Sequence, residues 1–420
     1  MIDDSLRACR ICSGRLDTIL HLGDLALSTF PAPGDPPLVK MPLDLCACAL
    51  CRTVQLRHTA DRDRLYRHYW YRSGVNEVMQ RELADVVQAA RNRVQITPED
   101  FVVDVGANDG TLLACYPKGT TRVAYEPALN LQTALATHAE IRIADYFPPK
   151  IFDHKGLFGK VKILTSIACF YGSDHPHAFV DHVRALLHPD GVWVVQFQDL
   201  HQMIAANAFD NICHEHLLYY SLASFERLIH AHGLVVTEAE VRKINGGSYR
   251  LYVQHAAQEA SQRHLISLAE VRKIREWEAG CESWETLERF AWNVTEARQH
   301  INAVVSSLLE QGKTIDLYAA STKANTLLQY CGLGGDEIRQ AWERSPEKCG
   351  RTTVTGIPIV EERVGRQRPP DALFIGAWQF RDAFIARETD YLEQGGSMLL
   401  PLPHCEIVVG GGYSDATGHR

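Results

Sequence analysis

The rhythm of apolar and polar positions changes several times along the chain, and the changes mark its parts. The near-continuous apolar run "FVVDV" at residues 101–105 predicts a buried parallel strand. It ends in the turn "GANDG" and re-enters a helix at "TLLACY". "RVAYEP", "KILTSIACF" and "GVWVVQF" repeat the strand pattern, while "LNLQTALATHA" and "HAFVDHVRALL" between them carry helical spacing. Strands alternating with helices predict an open parallel sheet. "NEVMQRELADVVQAARNRV" is helical just before this unit, and residues 262–310 read as long helices after it. A second alternating unit runs from "KTIDLYAAS" through "TKANTLLQYCG", "IRQAWERSP", "TTVTGIPIV", "ALFIGAW" and "FRDAFIARETDYLEQGG" to "SMLLPLP". Near the start the rhythm is lost: "FPAPGDPP" excludes helix and central strand. The expected organisation is a small module over 1–60, an α/β domain over 61–260, a helical connector over 261–310 and a second α/β domain over 311–420.

Composition narrows the function classes. Hydrophobic residues are 46% of 420 and charged residues 22%, the balance of a soluble globular protein with material for more than one core. The formal charge of −8, without a long basic run, disfavours nucleic acid as a partner. No apolar stretch is long enough to span a bilayer, and the start "MIDDSLRACRIC" is acidic with no apolar signal region. The expectation is a cytoplasmic protein, monomeric or weakly oligomeric.

Five of the twelve cysteines fall in the first 51 residues. "CRIC" and "CALC" are C-x-x-C pairs, Cys9/Cys12 and Cys48/Cys51, and each pair sits on a turn that brings two thiolates to one ion. Two such pairs make the closed four-thiolate set of structural zinc. Cys46 offers a competing C-x-C register with Cys48; the matching spacing of the two outer pairs favours Cys48/Cys51. So small a module is expected to lack a core of its own and to fold on its metal.

The turn "DVGANDG" places Asp104, Gly106, Asn108, Asp109 and Gly110 directly after a strand, where glycine permits a sharp bend and close approach of a ligand. Glu126, in "AYEP" with Pro127, follows Gly106 by 20 residues and ends the next strand. An acidic residue there accepts the hydroxyls of a ribose. "ADYF" supplies Asp145, Tyr146 and Phe147 for an adenine. The middle of the turn is Ala-Asn-Asp, whereas a dinucleotide's diphosphate calls for G-x-G-x-x-G. S-adenosylmethionine carries no phosphate and is the favoured cofactor, with NAD and an oxidoreductase as the alternative.

"FDNICHEHLLYYS", residues 209–221, is the densest polar cluster in an apolar setting. A zincin needs H-E-x-x-H on a helix, which "HEHLL" does not supply. Acid/base chemistry needs a histidine of near-neutral pKa, often oriented by a carboxylate, and Glu215 and the tyrosines offer that locally. The bland alternative is that these residues only cap and pack the helix "SLASFERLIHAHG". "NGGSYR" reads as a tight turn leading into a strand.

Taken together, "CRIC…CALC…VQL", "YWYRSGVNEVM", "DVGANDGTLL", "FDNICHEHLLYYS", "NGGSYRLYV", "YAASTKANTLLQYCG" and "GGSMLLPLP" resemble the S-adenosylmethionine-dependent sugar C-methyltransferases over nearly the whole chain. The resemblance implies a zinc-binding module, a class I methyltransferase core with a Rossmann-like parallel sheet, and a C-terminal Rossmann-like domain. The substrate, a nucleotide-diphosphate keto-deoxysugar, would lie between the last two. It implies that a base removes the proton next to a 4-keto group and that the enolate carbon takes the methyl group. Carried over by position, His216 is the base, Glu215 its neighbour and Tyr71 an active-site tyrosine. The better-known relatives carry a tyrosine at the position of Cys213 and a histidine at that of Phe170. His214, Tyr171 and Tyr220 are candidates to compensate. Those departures keep O-methylation, or a non-sugar acceptor, as an alternative. In "ASTKANT", Ser321, Thr322, Lys323 and Asn325 stand where a helix start would hold a diphosphate, with Asn245 and Arg381 as further substrate candidates. A binding protein with a degenerate site is the remaining alternative.

Overall fold

The computed structural model describes residues 8–150, 155–256, 262–410 and 412–415. The acidic start at residues 1–7 and the expected 260/261 boundary lie outside the described residues. Three sheets organise the rest.

The first sheet is antiparallel. β1 (Leu16–Ala26) pairs with β2 (Lys40–Cys48), and β2 pairs with β3 (Val54–Leu56). The four sulfur atoms of Cys9, Cys12, Cys48 and Cys51 lie within 4.8 Å of one another, as one tetrahedral ion requires. The turns donate backbone N–H groups to these sulfurs, from Ile11 to Cys9 at 3.3 Å and from Leu50 and Cys51 to Cys48 at 3.4 Å. Gly14 leaves the cradle open: a Cβ there would sit 2.8 Å from the Cys48 sulfur. Cys46 points away, to the Thr18 hydroxyl, which settles the register in favour of Cys48/Cys51. The module's main apolar cluster is shared with the rest of the chain. Leu20, Leu22, Leu43, Leu45 and Leu56 pack in one apolar cluster with Leu287, Phe290 and Val294 of the helix Trp284–Glu310 and with Leu327 and Leu328 further on. The alternation of β1 and β2 buries one face against those helices.

The central sheet carries parallel strands β4 (Phe101–Val105), β5 (Thr121–Tyr125), β6 (Ile141–Ile143), β7 (Val161–Ile167) and β8 (Leu187–Phe197). After β9 (Leu218–Tyr219), which belongs to the first sheet, β10 (Leu234–Arg242) and β11 (Ser248–His255) close its edge as an antiparallel hairpin. The order is β10-β11-β8-β7-β4-β5-β6, so the direction of winding reverses at β4, the place where open α/β sheets bind ligands. The helix expected at "TLLACY" is a single turn, Leu113–Cys115, because Pro117 prevents its continuation. The long "LNLQTALATHA" helix is likewise reduced, to Leu129–Leu131 and Gln132–Leu135. Phe170 is fully buried among Phe179, Trp193, Tyr220 and Phe225, a position of the aromatic core.

The third sheet has parallel strands β12 (Ile315–Tyr318), β13 (Ala341–Glu343), β14 (Ile359–Glu361), β15 (Ala372–Ile375) and β16 (Ser397–Leu400), extended antiparallel by β17 (Glu406–Val409) and β18 (Gly412–Asp415). Its winding reverses at β12. After β12, Ser321 caps the helix Thr322–Cys331, its hydroxyl accepting from the Ala324 N–H at 3.0 Å.

The zinc module joins the central unit through β9: Val54 pairs with Tyr219 and Gln55 with Leu218. Removing the metal is therefore felt beyond residue 60. Cys48→Ser is expected to carry no stoichiometric zinc by elemental analysis. It should also speed amide exchange both in the module and around β9. Unchanged protection around β9 in the zinc-free variant would show that the two are uncoupled.

Candidate active site

The central and third sheets aim the carboxyl ends of their parallel strands at one cavity of about 390 Å³. β4 delivers Asp104, Gly106 and Asn108 to its wall; β5 delivers Glu126 and Pro127; the segment after β6 delivers Asp145, Tyr146 and Phe147. Gly106 has φ +70°, and a Cβ on it would lie 2.9 Å from the Cys169 Cβ, so no other residue fits the turn. Asn108, Ala168 and Asn245 also line the cavity with positive φ. Strain held in non-glycine residues clusters at functional sites.

Glu126 accepts the backbone N–H groups of Asn108 and Ala128, both at 2.8 Å, which fixes its carboxylate at the rim of the turn. Burial pushes its pKa up to about 7, and Asp104 beneath it, bonded to the Thr165 hydroxyl at 2.6 Å, rises to about 7 for the same reason. No ion pair to either carboxylate occurs among the described residues. Two buried, unpaired carboxylates suit a ligand with ribose hydroxyls and positive charge and repel the diphosphate of a dinucleotide. Tyr146 donates its hydroxyl to Asp63 at 2.8 Å beneath the Arg62 guanidinium, 4.3 Å from the ring centroid. Phe147 packs edge-on against Tyr125.

The rest of the glycine turn works differently. Asn108 accepts from the Ser73 N–H at 2.9 Å and donates to the Tyr71 carbonyl at 3.0 Å, while Asp109 accepts from the Gly74 N–H at 2.8 Å. These side chains fasten the segment carrying Tyr71 across the cleft. Asp109 and Gly110 themselves do not line the cavity, and Gly110 is required by the approach of His138, 2.8 Å from where its Cβ would be.

Glu215 and His216 line the cavity, on a turn between the short helix Phe209–Asn211 and β9. The His216 Nδ1 lies 2.8 Å from the Asn211 carbonyl, which can only accept, so Nδ1 carries the proton and Nε2 the lone pair. The orienting group is thus a backbone carbonyl and not the carboxylate of Glu215. Burial, reinforced by the charge of Lys323, pushes the His216 pKa down to about 3 and keeps the ring neutral. Tyr171 stands edge-on to it at 4.5 Å. Burial pushes Glu215 up, and its Oε2 is buried without a protein partner. Tyr66 donates to the Glu215 carbonyl at 2.9 Å. From the third sheet come Ser321, Thr322 and Lys323, opposite Asn245.

The structure gathers Tyr71, Glu215, His216, Asn245, Ser321, Thr322 and Lys323 with the cofactor candidates other than Asp109 and Gly110, and it leaves four further candidates outside. His214 contacts the Met41 carbonyl in the zinc module, Tyr220 stacks on Phe170, Asn325 donates to the Thr29 carbonyl and Arg381 pairs with Glu406. Residues not anticipated as site residues, Arg62, Tyr66, Tyr69, Cys169, Gln198 and Gln379, also line the cavity. The tyrosines were signalled by the aromatic, basic segment "LYRHYWYRSG"; Gln198 and Gln379 follow strand ends and carry no motif.

Three family models match in series: a zinc binding domain over residues 9–66, a methyltransferase domain over 75–239 and a C-methyltransferase C-terminal domain over 243–403. Among solved structures, the CcbJ methyltransferase from Streptomyces caelestis overlaps 44% of this chain and 99% of its own at 15% identity and a TM-score of 0.34. A 1,6-didemethyltoxoflavin-N1-methyltransferase from Burkholderia thailandensis overlaps 43% and 80% at 14% identity and a TM-score of 0.33. The C-methyltransferase NovU from Streptomyces niveus is 30% identical over 373 residues, 87% of each chain. With a matching methyltransferase domain and a cavity suited to S-adenosylmethionine, the chain is a methyltransferase using that donor, and it belongs to the C-methyltransferase family.

Proposed function

We propose that the enzyme methylates a carbon beside the keto group of a nucleotide-linked deoxysugar, C3 next to a 4-ketone, through an enolate. The observation that carries this reading is His216: a neutral imidazole whose proton is committed to a backbone carbonyl and whose lone pair is left for the cavity. Carbon is not nucleophilic until its proton leaves, so carbon methylation needs such a base. Bound S-adenosylmethionine supplies an electrophilic methyl group on a sulfonium centre. Glu126, with Asp145, Tyr146 and Phe147 beside it, would hold the adenosine. Tyr71, 39% exposed at the cavity wall, and Asn245 would contact the sugar. The nucleotide portion of the substrate rests on the sequence resemblance and on the position of the cavity between two α/β units.

Mass spectrometry over a panel of nucleotide-4-keto sugars should find a gain of one methyl, and carbon-13 NMR should place it on carbon. A methyl on oxygen would replace the enolate reading with O-methylation. His216→Ala is expected to lose about 10²–10⁴ in turnover while binding S-adenosylhomocysteine as the wild type does. Wild-type turnover in that variant would remove His216 as the base.

The pH dependence has a definite sign. A His216 pKa near 3 leaves the base in its active form throughout pH 5–8, so turnover should show no histidine limb there. Glu126 near 7 must ionise to accept two ribose hydroxyls. Binding of S-adenosylhomocysteine should therefore tighten as pH rises toward 7, by at most about tenfold per unit, and level off above. Titration calorimetry from pH 6 to 8 reads both the affinity and the proton released. A flat affinity with no proton release would exclude Glu126 from the ribose.

A further inference from the structure

The cavity contains a cation for which the fold itself has no use. Lys323 occupies the second position of the helix Thr322–Cys331, where the partial positive charge of the helix end disfavours it. It lines the same cavity as His216, whose protonation its charge opposes, and burial disfavours its own ammonium form. Its ammonium donates to the Asn245 carbonyl at 3.3 Å and forms no direct ion pair among the described residues. Asp210, the carboxylate that acts on it from a distance, already accepts the Trp378 indole N–H at 2.9 Å. A lysine has three N–H donors, so two are left to face the cavity.

Cys213 sharpens the question. Its thiol is buried and outside the cavity lining. The group that would meet the substrate's carbonyl oxygen must then come from elsewhere. The weak basicity of His216 raises the demand, because a weak base moves a carbon-bound proton only if the resulting anion is stabilised. Besides His216, the cavity is lined by two basic residues, Arg62 and Lys323. Arg62 is stacked on Tyr146, so Lys323 is the cation left to face the substrate; the Tyr171 phenol beside His216 is a neutral donor and brings no charge.

We propose that Lys323 is a catalytic residue whose ammonium binds the oxygen of the substrate ketone and stabilises the enolate as His216 removes the adjacent proton. This deepens the keto-sugar reading and rests on it. In the step, the C3–H bond breaks and its proton passes to His216 Nε2. The C–H electron pair forms the C3=C4 bond, and the π pair of the C4=O bond moves to oxygen, beside Lys323. Net charge in the cavity does not change. The cation that weakens the base in the free enzyme stabilises the anion the base creates. This assignment moves Lys323 from the diphosphate to the reacting atoms.

Enolisation can be read apart from methyl transfer. With S-adenosylhomocysteine in the cofactor site, a keto-sugar that the enzyme methylates should exchange its C3 proton for deuterium in heavy water, followed by NMR. His216→Ala should abolish the exchange. Lys323→Met should slow it at saturating sugar by about 10²–10³, with the Kd for the sugar changed only a few-fold. Lys323→Arg, which keeps the charge and guards against a folding defect, should retain more exchange than Lys323→Met. A raised Kd with wild-type exchange at saturation would make Lys323 a substrate anchor and overturn the proposal. Wild-type enzyme that methylates a sugar without exchanging its C3 proton would overturn the enolate reading and this proposal together.

Discussion

The pairing of β3 with β9 is the constraint on which the active site depends. Two residue pairs, Val54 with Tyr219 and Gln55 with Leu218, splice the sheet of the zinc module onto the chain leaving His216. Gln55 anchors the other end. Its side chain donates to the Cys9 sulfur at 3.0 Å and accepts from the Arg10 backbone and guanidinium at 3.1 Å. Tyr219 returns to the site, its hydroxyl donating at 3.3 Å to the Asn211 carbonyl that also receives the His216 Nδ1 proton. A continuous line of contacts thus runs from a metal-ligating thiolate to the tautomer of the base. Four clustered thiolates, three of them buried, repel one another unless a cation holds them, so the ion that holds the module together also braces the turn carrying His216.

Electrostatics at the cavity run against stability. Asp104 and Glu126 have folded-state pKa values near 7, above those of an unfolded chain. The native state therefore holds its protons more tightly than the unfolded state does, and stability falls as pH rises from about 4 toward 7. His216 is held neutral even at acidic pH, where an ordinary imidazole would be charged. None of these groups would be placed so for folding alone. A ligand that brings hydroxyl donors and positive charge reverses part of the penalty on the carboxylates, and binding it stabilises the fold by mass action.

Much of this architecture was written in local pattern. Apolar runs ending at Val105, Tyr125 and Phe197 marked the central strands, and the glycine turn marked the ligand edge. The C-x-x-C spacing identified the four sulfurs because a turn of that length fixes their separation. What stayed hidden depends on contacts far apart in the chain. "HEH" lies on neither helix nor an extended strand, and its neighbour β9 is two residues long, too short for any periodicity to register. The side chains of Asn108 and Asp109 also bond residues 71–74, some 35 positions earlier, a tie no local pattern announces; Asn108 lines the cavity while Asp109 does not. His214, Tyr220 and Asn325 carry the right chemistry in the right motifs and face other elements.

The substitutions at Cys213 and Phe170 follow the same logic. A histidine could be oriented by a carboxylate, and a change at the carboxylate's neighbour would then disturb the base. Here the orienting acceptor is the Asn211 main-chain carbonyl, which no side-chain replacement removes. Cys213 is buried outside the cavity lining, and Phe170 fills an aromatic cluster that does not line the cavity either. Both positions are therefore free to lose a proton-handling group without releasing the tautomer of His216. The cavity wall is complete only when the two sheets face each other, since His216 comes from the zinc-braced turn and Lys323 from the helix after β12.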